Sequence, residues 1–175
     1  MNIKHWVISG IFSLGVLSSA YADTSVFGMT LGKTTLDDFM RMYPSAVKKE
    51  VTELTDGVIY SVPVNELNFD GLKSDHIVFS QDNKLTAIII EIDKRRFDRV
   101  HALLSKKYKV TTVDIPFVGD KFVEYKSGED VIGLNSPHLS FEMTLVYAER
   151  KFMDAFHERE VEGKRRKDAD EFEKL

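Results

Sequence analysis

The sequence predicts an α+β domain, an antiparallel sheet with helices packed against one face. Two segments carry apolar residues at helical spacing, and each is followed by about four segments in which apolar residues alternate. Residues 34–92 and 95–147 therefore predict two halves with the same order of elements. The chain has 175 residues, which is one domain's worth and enough to bury a substantial core.

Helix signals open the first half, after an extended lead-in from Ser25 to Gly32. Thr34-Thr35 offers an N-cap, and two aspartates follow in the first turn, where the helix dipole favours anions. Apolar residues recur at helical spacing as far as Tyr43, and Pro44 ends the run. A short amphipathic helix is predicted here.

Alternating segments then predict the strands of the first half. They lie at 51–54 and 58–62 around the turn Thr55-Asp56-Gly57, at Leu67 to Phe69, and at 76–80 and 85–92 around a second turn. Ala87 to Ile90 is apolar on both faces, which predicts a central strand or one whose second face meets a helix.

The second half repeats this order. Asp93 is the N-cap of a helix with an apolar stripe, and lysines lie near its C-terminus. Strands are predicted at 110–115, 121–126, 131–134 and 139–147. The last has the clearest alternation, which predicts that one set of its side chains faces the core: Leu139, Phe141, Met143, Leu145 and Tyr147.

Residues 151–175 predict a charged helical tail that follows a single domain at 23–150. Phe152, Ala155 and Phe156 can dock its start on the sheet. Beyond Val161 apolar residues are sparse, and Gly163 weakens a helix by about 1 kcal/mol relative to Ala. The end of the tail is therefore expected to be solvated and frayed.

The N-terminal residues have the order of a secretory signal. Lys4 is followed by an apolar stretch from Trp6 to Leu17 and then by the small-residue pattern Ala20-Tyr21-Ala22. The apolar stretch is shorter than the roughly 20 residues that span a bilayer. We expect residues 1–22 to be removed, with a buried N-terminal helix or a retained anchor as the alternatives, and no transmembrane segment to remain after cleavage.

Composition narrows the setting further. The chain has no cysteine, so it lacks the residue on which bacterial lipoproteins are lipidated, and the lack of disulfides favours a periplasm, with secretion as the alternative. The net charge of −4 becomes −5 without Lys4 (23 cations against 28 anions). Nucleic-acid binding depends on clustered cations, so a nucleic-acid partner is not expected.

Residues with catalytic potential form no recognised pattern. His76, His101, His138 and His157 lie on different predicted elements without metal-ligand spacing. No Gly-x-Ser-x-Gly elbow occurs, and residues 28–32 lack the lysine of a phosphate loop. The sequence therefore predicts no catalytic residue, metal or cofactor.

Two surfaces are candidates for binding. One is a cationic cluster at the start of the second helix: Lys94, Arg95, Arg96 and Arg99. It could meet an acidic protein, lipid headgroups or lipopolysaccharide, or it could be a solvated helix end with aspartates as counterions. The other is an open sheet face, on which apolar area could be contributed by Tyr60, Phe79, Ile89 and Tyr125.

The segment from Phe27 to Phe39, which reads Phe-Gly-Met-Thr-Leu-Gly-Lys-Thr-Thr-Leu-Asp-Asp-Phe, followed by Tyr43-Pro44, resembles the opening of a family of envelope proteins. It is similar to the SmpA/OmlA outer-membrane assembly lipoproteins and the related β-lactamase-inhibitor-like fold, which has tandem helix-plus-sheet units. The chain departs from this family in lacking the lipidated cysteine. The resemblance implies a non-catalytic, protein-binding α+β module in the envelope.

The sequence therefore predicts an exported, periplasmic binding module that recognises a protein or an envelope component without catalysis. An enzyme or small-ligand binder with a site of dispersed residues such as His76, His101 and His138 is one alternative. A secreted inhibitor or effector is another. The sequence leaves the oligomeric state open.

Overall fold

The computed structural model describes residues 23–49 and 57–172. The predicted signal at 1–22, the predicted strand at 51–54 and most of the turn after it lie outside these residues. The described elements, in chain order, are β1 (Ser25–Val26), β2 (Met29–Thr30), α1 (Leu36–Met42), β3 (Val47–Lys49), β4 (Val58–Ser61), β5 (Leu72–Phe79), β6 (Leu85–Asp93), a 3₁₀-helix (Lys94–Arg96), α2 (Phe97–Lys107), β7 (Lys109–Asp114), β8 (Lys121–Ser127), β9 (Asp130–Ser136), β10 (Glu142–Ala148) and α3 (Arg150–Phe172).

The main sheet has eight antiparallel strands in the order β3-β4-β5-β6-β10-β9-β8-β7. Strands β3 to β6 are consecutive neighbours, as are β7 to β10, and the two runs meet where β6 pairs with β10. A separate hairpin is formed by β1 and β2. The predicted α+β class with an antiparallel sheet is confirmed.

Helix α1 begins where the sequence places its cap. Thr35 and Asp38 form a capping box, in which each side chain accepts a hydrogen bond from the other residue's backbone N–H. These bonds satisfy N–H groups that have no partner inside the helix. Phe39, on the inner side of α1, is fully buried and packs against Phe79 with ring centroids 5.2 Å apart.

The main core lies between one face of the sheet and helices α1 and α2. From α2 it receives Phe97, Val100 and Leu104. From the sheet it receives alternate residues of the central strands, including Ile88, Ile90 and Ile92 of β6. Each large side chain buried in this way contributes roughly 1.5–3 kcal/mol. We call this side of the sheet the helix face and the other side the outer face.

A smaller cluster covers part of the outer face. It consists of Ile59, Val78, Ala87 and Ala148, and the start of α3 packs on it through Phe152 and Met153. Strand β6 is therefore central and covered on both sides, as the apolar run from Ala87 to Ile90 predicts. Among the described residues, no helix has both the length and the apolar character needed to cross a membrane.

The core face predicted for residues 139–147 is wrong at its first two positions. β10 begins only at Glu142, because its partner β6 ends at Asp93 and the chain then bends into the 3₁₀-helix. Leu139 and Phe141 lie in the loop before β10 and are 95% and 91% exposed. The prediction is correct for the remaining residues, Met143, Leu145 and Tyr147, which are buried.

The strand predicted at Leu67 to Phe69 is also wrong. Residues 64–68 form a turn, and Asn68 has a φ of +44°, a left-handed conformation that does not occur in a regular strand. Leu67 is buried in the main core from within this turn. Its apolar character reflects burial rather than strand structure.

A candidate binding surface at the loop end of the sheet

Two loops leave the sheet at the same end. The first residue of β8, Lys121, pairs with the last residue of β9, Ser136. The β7–β8 loop (115–120) and the β9–β10 loop (137–141) are therefore neighbours. A carboxylate oxygen of Asp120 accepts a hydrogen bond of 2.6 Å from the backbone N–H of His138, which ties the two loops together. We call these loops with the adjacent 3₁₀-helix the loop end.

Lys94 holds the β9–β10 loop in place. Its ammonium group donates hydrogen bonds to the backbone carbonyls of Pro137 and His138, the second at 2.9 Å. Its own backbone N–H donates to the carbonyl of Phe141 at 3.0 Å. Bonds that involve a charged donor are the stronger kind, so this loop has a fixed path. The exposed side chains of Leu139 and Phe141 project from a loop that is held at both ends.

A cleft of about 310 Å³ lies beside this loop, where the start of α2 meets the ends of β8 and β9. Lys121 lines it, with its ammonium nitrogen 4.8 Å from the ring centroid of Phe97. Ser136 also lines it, and its buried hydroxyl has no hydrogen-bond partner among the residues that the structure describes. The other residues around the cleft are Asp93, Lys94, Arg95, Asp98, Ser140 and Phe141.

The structure separates the four cations predicted as a binding cluster. Lys94 and Arg95 both line the cleft. The guanidinium of Arg95 is exposed and binds the carboxylate of Asp93, with Nε 2.9 Å from Oδ1. These hydrogen bonds hold the pKa of Asp93 well below its usual range. The aspartate therefore keeps its charge and offsets that of Arg95 at any pH near neutrality.

The other two predicted cations lie away from the cleft. Arg96 is mostly buried, forms an ion pair with Asp70 and places its guanidinium carbon 5.9 Å from the ring centroid of Phe69. Arg99 is exposed on α2. That this cluster binds a partner stays a prediction. The pattern of charges did not indicate Lys121, which lies far along the chain from the other cations of the cleft.

The four residues predicted for an open apolar sheet face are covered. Phe79 and Tyr125 are fully buried, and Tyr60 is partly buried, all against the helix face. Ile89 is partly buried in the smaller cluster beneath α3. Among the described residues, several exposed apolar side chains lie instead in the loops and on the edge strand β7. They include Val113, Phe117, Leu139 and Phe141.

The histidines do not share a site. His101 Nδ1 lies 2.6 Å from the hydroxyl of Tyr125, His76 is exposed on β5, and His138 belongs to the β9–β10 loop. Within residues 23–49 and 57–172, no group of three His, Cys, Asp or Glu side chains is placed to hold a metal ion.

Two further clefts lie elsewhere on the described part of the chain, and no histidine lines either of them or the cleft at the loop end. One, of about 450 Å³, lies between the β5–β6 turn and the start of α3. Glu149 lines it, and burial raises the pKa of its carboxyl group. The other, of about 160 Å³, is an apolar pocket beside α2. Its lining includes Leu103, Leu104, Tyr108, Leu145 and Tyr147.

At the loop end, two exposed apolar side chains on a hydrogen-bonded loop lie next to cations and a cleft. Comparison with protein-family models, with curated proteins and with solved structures finds no match for this chain. The function is therefore argued from the geometry of the loop end and from the sequence.

Proposed function

We propose that this protein is an exported binding module that recognises a partner protein through its loop end and does not catalyse a reaction. The observation that carries the proposal is the exposure of Leu139 and Phe141 on a loop held by Lys94 and Asp120. A surface held in its binding conformation loses little entropy when a partner docks. Buried aromatic and aliphatic anchors supply most of the binding energy at such interfaces.

The charges around these anchors favour an acidic partner. The charged residues that line the cleft are three cations and two aspartates, which leaves one net positive charge: Lys94, Arg95, Lys121, Asp93 and Asp98. A partner segment that inserts an apolar residue beside Phe141 and places a carboxylate near Lys121 would complement both properties. An acidic component of the envelope offers the same charge and remains the alternative.

Export and internal duplication form part of the same proposal. The leader-like residues 1–22 support export to the periplasm, with secretion as the alternative. The order of the strands supports an internal repeat. In each half one helix is followed by four strands that are neighbours in the sheet, β3 to β6 after α1 and β7 to β10 after α2. The resemblance of the Phe27–Phe39 segment to SmpA/OmlA proteins implies the same tandem organisation.

Capture from an envelope extract tests the binding surface. The immobilised protein is expected to retain a partner, and the double substitution Leu139→Ser with Phe141→Ser is expected to release it. Val47→Ser is the matched control, because Val47 is an exposed apolar residue on β3 at the opposite edge of the sheet. Identical capture by all variants would show that the loop end does not bind the partner.

Two further measurements separate the alternatives. Sedimentation with vesicles of anionic phospholipid distinguishes a lipid component of the envelope from a protein partner. Only the former predicts that the protein sediments with the vesicles and that Leu139→Ser with Phe141→Ser abolishes this binding. Mass spectrometry of the native protein tests export. An N-terminus at Asp23 is expected, and a chain that retains residues 1–22 would contradict cleavage of a signal.

A further inference from the structure

Strand β7 has an open edge. It pairs with β8 on one side and has no neighbour on the other among the described residues. All of its residues are exposed except Val110, which is partly buried. The edge of a sheet presents unpaired backbone N–H and C=O groups that can pair with another strand. Its sequence, Lys109-Val110-Thr111-Thr112-Val113-Asp114, indicates which strand that is.

A bulge makes the two ends of β7 equivalent. The pairing with β8 shifts between Val110 and Thr112, so that Thr111 is one extra residue. Thr112 pairs with Glu124, and the hydroxyl of Thr111 lies 2.9 Å from the carboxylate of the same glutamate. Both threonines therefore face the outer side. Counted outward from this pair, each direction continues with a valine and then a charged residue.

The valines share one face and the charged residues share the other. Val110 and Val113 lie opposite Tyr125 and Val123, which are buried on the helix face. The charged residues at the ends of β7 lie opposite Lys126 and Phe122, the alternate positions of β8 that face outward. Without the extra residue the two ends would point to opposite faces, because side chains alternate along a regular strand.

We propose that β7 pairs antiparallel with β7 of a second copy of this chain, across a two-fold axis that passes through the bulge. In this register Thr111 lies opposite the second copy's Thr112, Val110 opposite its Val113, and Lys109 opposite its Asp114. The symmetry creates every pair twice, including two pairs of opposite charge on the outer face. The two sheets become one continuous sheet.

The bulge selects a second copy over other strands. A regular strand lacks an extra residue, so it falls out of step with β7 on one side of the bulge, and bulges at edges commonly prevent such pairing. A second copy carries the same extra residue, and the two-fold axis places one bulge against the other. The bulge therefore disfavours pairing with a regular strand of another protein and permits pairing with β7 of a second copy.

The chain beyond β7 extends this contact. In the proposed register Ile115 comes opposite the second copy's Tyr108, and Phe117 projects past it from the tip of the β7–β8 hairpin. Ile115 and Phe117 are both exposed, so the hairpin tip adds apolar area at each end of the strand ladder.

The proposed interface is centred on β7, whereas the proposed binding surface is centred on Leu139, Phe141 and the cleft at the loop end. The two surfaces share only the β7–β8 loop. The inference therefore goes beyond the proposed function, and either can fail without the other.

Reversal of the charge pairs tests the register. Sedimentation velocity of the purified protein over a range of concentrations is expected to show a monomer–dimer equilibrium. Lys109→Asp and Asp114→Lys each turn two attractive pairs into repulsive ones and should raise the dimer Kd on the order of tenfold. The double variant Lys109→Asp with Asp114→Lys should restore it. A wild-type monomer at every concentration, or a Kd unchanged in all three variants, would overturn the proposal.

A second pair of variants tests the tip contact. Phe117→Ser should weaken the dimer severalfold, while Phe141→Ser, an equally exposed phenylalanine on the neighbouring loop, should leave the Kd unchanged. Phe141→Ser should also abolish partner capture while leaving the dimer intact, which separates the dimer from the binding function. An unaltered dimer Kd in Phe117→Ser would show that the hairpin tip does not contribute to the dimer.

Discussion

Residues 139–147 have an apolar side chain at every second position, yet the two parts of this segment have opposite surroundings. Met143, Leu145 and Tyr147 are buried, whereas Leu139 and Phe141 are almost fully exposed. The difference lies in the neighbouring strand, because β6 runs alongside the later residues and ends before it reaches the earlier ones. Alternation determines which side chains share a face, and strand pairing determines whether that face is covered.

The largest expected effect is at the centre of the covered part. Leu145 is buried in the main core and its backbone lies between Ile90 and Leu134. Leu145→Ala should lower the free energy of unfolding by about 3 kcal/mol, through lost burial and the cavity left behind. Urea denaturation measures this, with Leu139→Ala as the control that should change it by less than about 0.5 kcal/mol. Equal losses in the two variants would contradict the comparison.

A pH-dependent effect should also appear only in the covered part. Burial, reinforced by the neighbouring Tyr108, raises the pKa of Tyr147 above its ordinary value. In the unfolded chain a tyrosine titrates near pH 10. The unfolded state therefore releases this proton first, and the free energy of unfolding should fall by up to about 1.4 kcal/mol per pH unit above pH 10. Tyr147→Phe should reduce that slope in urea denaturation at pH 9 to 11, and an unchanged slope would contradict it.

The exposed part should depend on its anchor. Lys94→Met removes the hydrogen bonds to the carbonyls of Pro137 and His138 and should lower the free energy of unfolding by about 1 kcal/mol. It should also weaken partner capture by loosening the loop. Arg95→Met is the control, since it removes the same charge from an exposed side chain that does not contact this loop through any described bond. If Arg95→Met weakened capture equally, charge rather than loop geometry would explain the effect.

The smallest effect on stability should come from the most exposed residue. Phe141→Ser removes an aromatic side chain that is 91% exposed, so the free energy of unfolding should change by less than about 0.5 kcal/mol. Partner capture should nevertheless be lost. Urea denaturation and capture are measured on the same preparation. A loss of stability as large as that of Leu145→Ala would mean that Phe141 belongs to the core.

Local rules predicted much of the fold. The cap at Thr35 and the stop at Pro44 depend on residues a few positions apart, and the structure agrees with both. Asp93 caps the 3₁₀-helix that leads into α2, whereas α2 itself begins at Phe97. The central position of β6 follows from apolar residues on both of its faces. Such features can be predicted because the residues that cause them are close together in the sequence.

The candidate site could be predicted only in part, because it depends on contacts between distant residues. The sequence indicated Lys94 and Arg95 through their clustered charge. It did not indicate that the ammonium of Lys94 reaches a carbonyl 43 residues away, which fixes the loop that exposes Leu139 and Phe141. The bulge at Thr111 was likewise invisible, since an extra residue is defined only against the partner strand.

The pairing of β6 with β10 has a consequence for how the nascent chain matures. β6 is synthesised before α2, β7, β8 and β9, and its partner in the middle of the sheet comes only after all of them. During that interval the isoleucine-rich edge of β6 is unpaired, and two nascent chains could associate through it. Slow or interrupted synthesis between Asp93 and Glu142 should therefore increase aggregation, and a holding chaperone that covers β6 would be most useful in that interval.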